Sequence, residues 1–170
     1  ASDGSLTGIP LNSDVGTNGF SVSVSDGTLT ITETLQIEVA NTNDSPAFTS
    51  DPITLVATED AAFSEQLVGG DPDAGDTLTF SKISGPAWLS VSPAGSLSGT
   101  PENSDVGDNV FTVRITDAGG LLSDAQLLID VANTNDLPVF TLPTIAAADA
   151  TQDAAYSGTV GGAATDQDTG

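Results

Sequence analysis

The sequence predicts an all-β fold, tandem β-sandwich modules of about 92 residues, with one whole module set between parts of two others. Three observations carry this. Apolar and polar residues alternate over short runs, turn residues separate the runs, and the pattern returns at a fixed interval along the 170 residues.

Gly4-Ser5-Leu6-Thr7-Gly8 returns as Gly95-Ser96-Leu97-Ser98-Gly99, 91 positions later. Ile37-Glu38-Val39-Ala40-Asn41-Thr42-Asn43-Asp44 returns 92 positions later as Ile129-Asp130-Val131-Ala132-Asn133-Thr134-Asn135-Asp136. Ala57-Thr58-Glu59-Asp60 matches Ala150-Thr151-Gln152-Asp153, and Asp71-Pro72-Asp73 matches Asp166-Gln167-Asp168. The repeat sets three segments: residues 1–44 as the C-terminal half of one module, 45–136 as a complete one, and 137–170 as the start of a third. Each partial module exposes an inner face, which neighbouring chain, the other partial module or another copy would have to cover.

Residues 20–24 and 29–32 alternate with period two around Asp26-Gly27, as half-buried strands joined by a turn. Residues 53–56 and 77–80 supply earlier strands of the complete module, with Gly69-Gly70 and Gly85-Pro86 read as turns. Trp88, the single tryptophan, is expected to plug the core between two sheets rather than to form a sugar-stacking platform. Residues 110–115 and 126–131 are the counterparts of the first two strands, joined through Gly119-Gly120. Residues 145–150 are Ala-rich, short and preceded by Pro143, and read as an edge strand. No window carries a 3.6-residue period.

Composition removes several functions. Asp and Glu number 24 against two cations, Lys82 and Arg114, a formal charge of −22. Nucleic-acid affinity rests on phosphate neutralisation, and attraction to anionic membranes on basic clusters; both lack their means here. No Cys, His or Met is present, so thiol chemistry, zinc–thiolate sites, haem–histidine ligation and His-assisted nucleophiles lack their reagents. No apolar run is long enough to span a bilayer, so no membrane insertion is expected, nor a signal peptide within the sequence. A hydrophobic fraction of 38% with clear alternation argues against disorder despite the charge. A secreted chain without disulfides needs another staple, and bound metal is one.

The acidic residues fall into two groups. Glu33, Glu38, Asp124 and Asp130 alternate with apolar residues on strands and are expected to face solvent. Others gather at turns: Asp71-x-Asp73-x-x-Asp76 and Asn41-x-Asn43-Asp44 concentrate carboxylate and amide oxygens. Hard cations want such ligands, and Ca²⁺ tolerates loop geometry better than Mg²⁺. The spacing is not that of an EF-hand. Solvated acidic turns are the alternative reading.

The segment Ile37 to Pro46, repeated as Ile129 to Pro138, resembles the interdomain linker of cadherin repeats. Asp71-Pro72-Asp73 resembles the cadherin Asp-x-Asp motif, and Thr116-Asp117-x-Gly119 the later Asp-bearing turn. The stretch from Pro86-Ala87-Trp88-Leu89 through Leu97-Ser98-Gly99-Thr100-Pro101 to Asp105-Val106-Gly107 is similar to dystroglycan-type cadherin-like modules of large bacterial surface and secreted proteins. The resemblance implies Greek-key sandwiches with Ca²⁺ at the junctions. The first junction would use Asn41, Asn43, Asp44, Asp71, Asp73 and Asp117, with Asp14 from the preceding module. The second would use Glu59, Asp105, Asn133, Asn135, Asp136, Asp166 and Asp168. Asn41 and Asn133 stand where cadherins usually carry Asp, and Gln152 where Glu59 has its counterpart, which lowers the ligand charge.

The function expected is structural: a non-enzymatic, Ca²⁺-rigidified array in an extracellular or cell-surface protein. Its partners would be neighbouring repeats, another copy of itself, or cell-surface and matrix components. A filament subunit completed by the next copy and a polysaccharide-binding module are the alternatives.

Overall fold

In the computed structural model, residues 4–168 are described. The strands are β1 (Gly16–Ser25), β2 (Thr30–Val39), β3 (Ala47–Phe48), β4 (Ile53–Thr58), β5 (Phe63–Gln66), β6 (Gly69–Gly70), β7 (Thr79–Ser84), β8 (Leu89–Val91), β9 (Ser96–Gly99), β10 (Gly107–Thr116), β11 (Leu122–Ala132), β12 (Val139–Phe140) and β13 (Ala164–Thr165). Two short 3-10 turns, Asn12–Asp14 and Asn103–Asp105, precede β1 and β10.

Residues 47–132 build a two-layer sandwich. One layer has the order β4-β11-β10-β7, and β5-β9-β8 lies across from it, with β3-β6 as a two-stranded piece. All pairs are antiparallel except β4 with β11, which run parallel from Ile53 beside Leu127 to Thr58 beside Ala132. Period-two alternation turns Phe111, Val113 and Ile115 of β10 and Leu127, Ile129 and Val131 of β11 to one face, where all are buried. Leu89 and Leu97 close over them from the second layer. Trp88 is the expected core plug: its ring stands edge-on to Phe63 and to Phe111, each at 5.7 Å. Its Nε1 donates to Asn109 Oδ1 at 3.0 Å, while Asn109 Nδ2 donates to the Asp105 and Gly107 carbonyls. This buried amide ties the start of β10 to the core.

Three readings of the sequence change. Gly69-Gly70 is not a turn but β6, paired with β3; a Cβ on Gly69 would strike the Ile115 side chain and the Ala47 carbonyl, so only glycine lets the backbones approach. Residues 145–150 form no strand. Their counterpart β4 is held by β11 of its own module, and no such strand lies beside them. Glu33 is exposed to solvent as expected, but on the side of the apolar residues rather than opposite them. It pairs across from Val22 and shares the face of Leu35 and Ile37, because two-residue steps from Leu35 reach it.

The β1–β2 hairpin repeats the register of β10–β11, Phe20 opposite Leu35 as Phe111 is opposite Leu127. Its inner face is open: Phe20 is 49% exposed where Phe111 is fully buried.

Candidate metal centre

The linker after β2 brings its Asx residues against loops of the next module. Asn43 Nδ2 donates to Asp117 Oδ2 at 2.8 Å, and the Asp44 N–H donates to Asp73 Oδ2 at 2.8 Å. The Asp73 N–H in turn donates to Asp71 Oδ1, an Asx turn that folds the Asp71-Pro72-Asp73 loop back on itself. Asp117 Oδ1 accepts from the Leu121 N–H, fixing the turn between β10 and β11. Gly119 lies under Asn43, whose amide occupies the space a Cβ there would need. The linker amide is thus seated on bare backbone.

Carboxylate oxygens of Asp71, Asp76 and Asp117 lie within 4.8 Å of one another. Asp73 and Asp117 are buried, Asp71 and Asp76 half-buried. Two oxygens here, Asp71 Oδ2 and Asp73 Oδ1, are buried with no hydrogen-bond partner. Buried carboxylate oxygens without a donor carry the full cost of lost hydration, and neither Lys82 nor Arg114 relieves it. Arg114 pairs with Asp124 at 2.6 Å, and Lys82 donates to the Pro86 and Leu89 carbonyls.

The second junction repeats this frame. The Asp136 N–H donates to Asp168 Oδ2 as Asp44 does to Asp73, and the Asp168 N–H donates to Asp166 Oδ1 as Asp73 does to Asp71. Asn133 Nδ2 reaches Asp168 Oδ1 at 3.1 Å. Asn135 Nδ2 turns to the Asp136 carbonyl. Glu59, 1% exposed, projects in from the end of β4: its Oε1 accepts from the Thr134 N–H, and its Oε2 is buried without a partner. Burial, then repulsion from Asp60, Asp168, Glu59 and Asp166, holds the Asp136 carboxyl above the usual carboxylate range.

Of the residues singled out in the sequence, Asn43, Asp44, Asp71, Asp73 and Asp117 meet at the first junction, and Glu59, Asn133, Asp136, Asp166 and Asp168 at the second. Asp14 and Asp105 sit apart in role: each closes its own 3-10 turn, accepting from the Leu11 and Glu102 N–H groups. Asn41 is exposed. Two contributors lie outside the ligand set that the resemblance implied. Asp76, which closes the Asp71-x-Asp73-x-x-Asp76 run noted in the sequence, joins Asp71 and Asp117. Asn12, not Asp14, reaches the linker, its Nδ2 donating to Asp44 Oδ2 at 2.6 Å. Nothing in local spacing marks it.

The donor set is oxygen-only, from carboxylates, amides and loop carbonyls, which suits a hard cation and not one that prefers nitrogen or sulfur. The orphaned oxygens of Glu59, Asp71 and Asp73 fit such an ion.

A protein-family model described as Putative Ig domain matches residues 45–134, more than half of the chain. No curated protein sequence matches it. Among solved structures, protocadherin Gamma B7 extracellular cadherin domains 1–4 are 24% identical, with a TM-score of 0.62, over 80% of this chain and 37% of that one. The protocadherin GammaB4 extracellular domain is 17% identical, with a TM-score of 0.66, over 82% and 25%. The endo-fucoidan hydrolase MfFcnA4 from glycoside hydrolase family 107 is 35% identical, with a TM-score of 0.51, over 75% of this chain and 20% of that one. The chain thus spans about a fifth to just over a third of the length of these proteins. No helix among the described residues is long and apolar enough to cross a membrane. With its all-β sandwich and the match over its central module, the chain belongs to this Ig-like domain family and is built as a cadherin-like repeat.

Proposed function

We propose that this chain is a Ca²⁺-binding structural segment of a larger extracellular protein, in which cations held at the module junctions stiffen the array. The observation that carries this is the set of buried, partnerless carboxylate oxygens on Glu59, Asp71 and Asp73, all beside an Asx-rich linker. At the first junction Asp71, Asp73, Asp76 and Asp117 would hold the ion with Asn43 and Asp44; at the second, Glu59, Asp136, Asp166 and Asp168 with the amides of Asn133 and Asn135. The ion supplies positive charge where carboxylates from two modules and the linker otherwise repel, so the angle between modules is held by shared ligands. The segment does no chemistry. It sets reach and stiffness for adhesive contact with cell-surface or matrix components, presented at a cell surface or in secreted material. The likeness to an endo-fucoidan hydrolase favours one second reading, a spacer beside a polysaccharide-acting domain.

The test is thermal unfolding and sedimentation in Ca²⁺, Mg²⁺ and chelator, for wild type and Asp71→Asn/Asp73→Asn. A free Ca²⁺ concentration about 100 times Kd adds about 2.7 kcal/mol, which raises the melting temperature by about 10–20 °C in a module of this size. The double variant loses the response at the first junction. An unchanged melting temperature in Ca²⁺ sinks the reading.

A further inference from the structure

The two long hairpins begin alike. In each, a 3-10 turn, Asn12–Asp14 or Asn103–Asp105, leads through a glycine into the first strand. The residue before the turn has φ −108° and ψ 173° at Leu11, and φ −105° and ψ 174° at Glu102. Gly16 and Gly107 follow the turns with φ 99° and 95°, a region open to glycine and strained for other residues. Early in each strand an asparagine reaches back. Asn18 Nδ2 donates to the Asp14 and Gly16 carbonyls at 2.5 and 3.1 Å, and Asn109 Nδ2 to those of Asp105 and Gly107 at 2.6 and 3.0 Å. The amide latches the turn to its strand in both modules.

The turn carries a junction contact. At the first junction Asn12, which opens its turn, donates from Nδ2 to Asp44 Oδ2 at 2.6 Å, while the Asp44 N–H donates to Asp73. Asn103 opens the second turn in the same place and is half-buried. That turn lies at the second junction. The Asp60 N–H donates to the Pro101 carbonyl at 2.9 Å, the Glu59 N–H to the Ala132 carbonyl at 3.0 Å, and Gly107 pairs with Val131 near the end of β11.

In the central module the latch reaches one step deeper. Asn109 takes the first place in the buried row that continues with Phe111, Val113 and Ile115. A polar amide there costs desolvation unless its groups are bonded. Asn109 is 6% exposed, its Nδ2 binds the turn, and its Oδ1 accepts from Trp88 Nε1 at 3.0 Å. Trp88 in turn stands edge-on to Phe63, in the strand that follows Glu59 and Asp60. One line runs from the Trp88 indole through Asn109 and the turn to Asn103 at the junction.

We propose that Asn109 is a positioning residue for the second junction. It holds the 103–105 turn so that Asn103 orients the Asp136 carboxylate as Asn12 orients Asp44, and Trp88, bonded to Asn109, reports whether that junction is occupied. Asn18 positions the first junction in the same way. This rests on the Ca²⁺ reading of the junctions. Neither Asn18 nor Asn109 touches the ion; each acts through a turn on the residue that orients a ligand. Outer partners of this kind are worth about 10–100-fold in metal affinity. The line also runs inward: a cation that fixes Asp136 fixes Asn103 and its turn, and the Asn109 carbonyl then holds the indole N–H more firmly.

The experiment is calorimetric titration with Ca²⁺, with Trp88 emission followed in parallel, one junction at a time. In the Asp71→Asn/Asp73→Asn chain only the second junction responds, and in the Glu59→Gln chain only the first. In the former, Asn103→Ala and Asn109→Ala are each expected to weaken Ca²⁺ binding about 10–100-fold. Trp88 emission is expected to shift with Ca²⁺ in the parent and in neither variant. In the latter, Asn18→Ala is expected to weaken the first junction by a like factor, with Trp88 emission unmoved throughout. Asn103→Ala removes only a half-buried amide, so it tests the line even where Asn109→Ala unfolds the module. A merely structural Asn109 lowers the melting temperature in chelator and leaves the Kd of the second junction unchanged. That result overturns the proposal, as does Asn103→Ala binding Ca²⁺ like its parent, or Trp88 emission that ignores Ca²⁺ bound at the second junction. A wild type without Ca²⁺ response at either junction overturns the junction reading and the proposal with it; a wild type that binds Ca²⁺ while the variants keep its affinities overturns the proposal alone.

Discussion

Glu59 shows how one residue couples fold and function. Its Oε1 has a backbone donor and its Oε2 has none, in a position 1% exposed. Replacement by Gln keeps the acceptor for Thr134 and removes the buried charge. Glu59→Gln is therefore expected to melt no lower than wild type in chelator, and to lose the Ca²⁺ response of the second junction; calorimetry with and without Ca²⁺ measures both. Asp136 gives the pH dependence. Its carboxyl titrates above the ordinary range, so its charged form costs stability at neutral pH, and that cost is relieved as pH falls through the raised value. Asp26, held low by the Leu29 and Thr28 N–H groups, and Asp124, held low by Arg114, run the other way: their contribution is present at neutral pH and lost as pH falls through their lowered values. In chelator, Asp136→Asn is expected to raise the melting temperature at neutral pH and to remove the gain that wild type shows on mild acidification.

At the level of elements, the two hairpins form a natural comparison because the same sequence pattern sits in two environments. Phe111 is fully buried between Trp88 and the sheet, whereas Phe20 is half exposed. Phe111→Ala is expected to cost about 3–5 kcal/mol, and Phe20→Ala about 1 kcal/mol or less. Denaturant unfolding of dilute protein separates the two. Strand positions were legible because a sheet wetted on one side imposes alternation on β1, β10 and β11. The edge of the sheet was not. Residues 145–150 fall at the position of β4 in the repeat but are Ala-rich where β4 is β-branched, and a strand needs a neighbour to bond with; the neighbour of β4 lies some seventy residues further along, in β11. Gly69-Gly70 reads as a turn by composition and is a strand because β3 and Ile115 press on it. Glu33 follows the correct alternation rule into the apolar face, where local charge had suggested the opposite.

For the whole molecule, the junctions decide behaviour. Asn43 seated on the Gly119 backbone and the Asp44 N–H on Asp73 couple one module to the next. Gly119→Ala is expected to unseat Asn43 and widen the range of angles between modules, read as a lower sedimentation coefficient change on adding Ca²⁺, with the central module melting within about 0.5 kcal/mol of wild type. The all-β class, the period, the core alternation of the central module and the clustering of oxygen donors at its ends are readable along the chain, because each follows from local pattern or from repetition. Which donors converge is set by contacts between loops far apart in the chain. Asp76 enters through the proximity of Asp71 and Asp117, Asn12 reaches Asp44 across the linker while Asp14 closes its own turn, and Glu59 is left with an unpaired oxygen. The reason is physical: whether a carboxylate is solvated, hydrogen-bonded or poised for a cation depends on groups from other loops at distances of a few ångströms, which spacing along the chain does not encode.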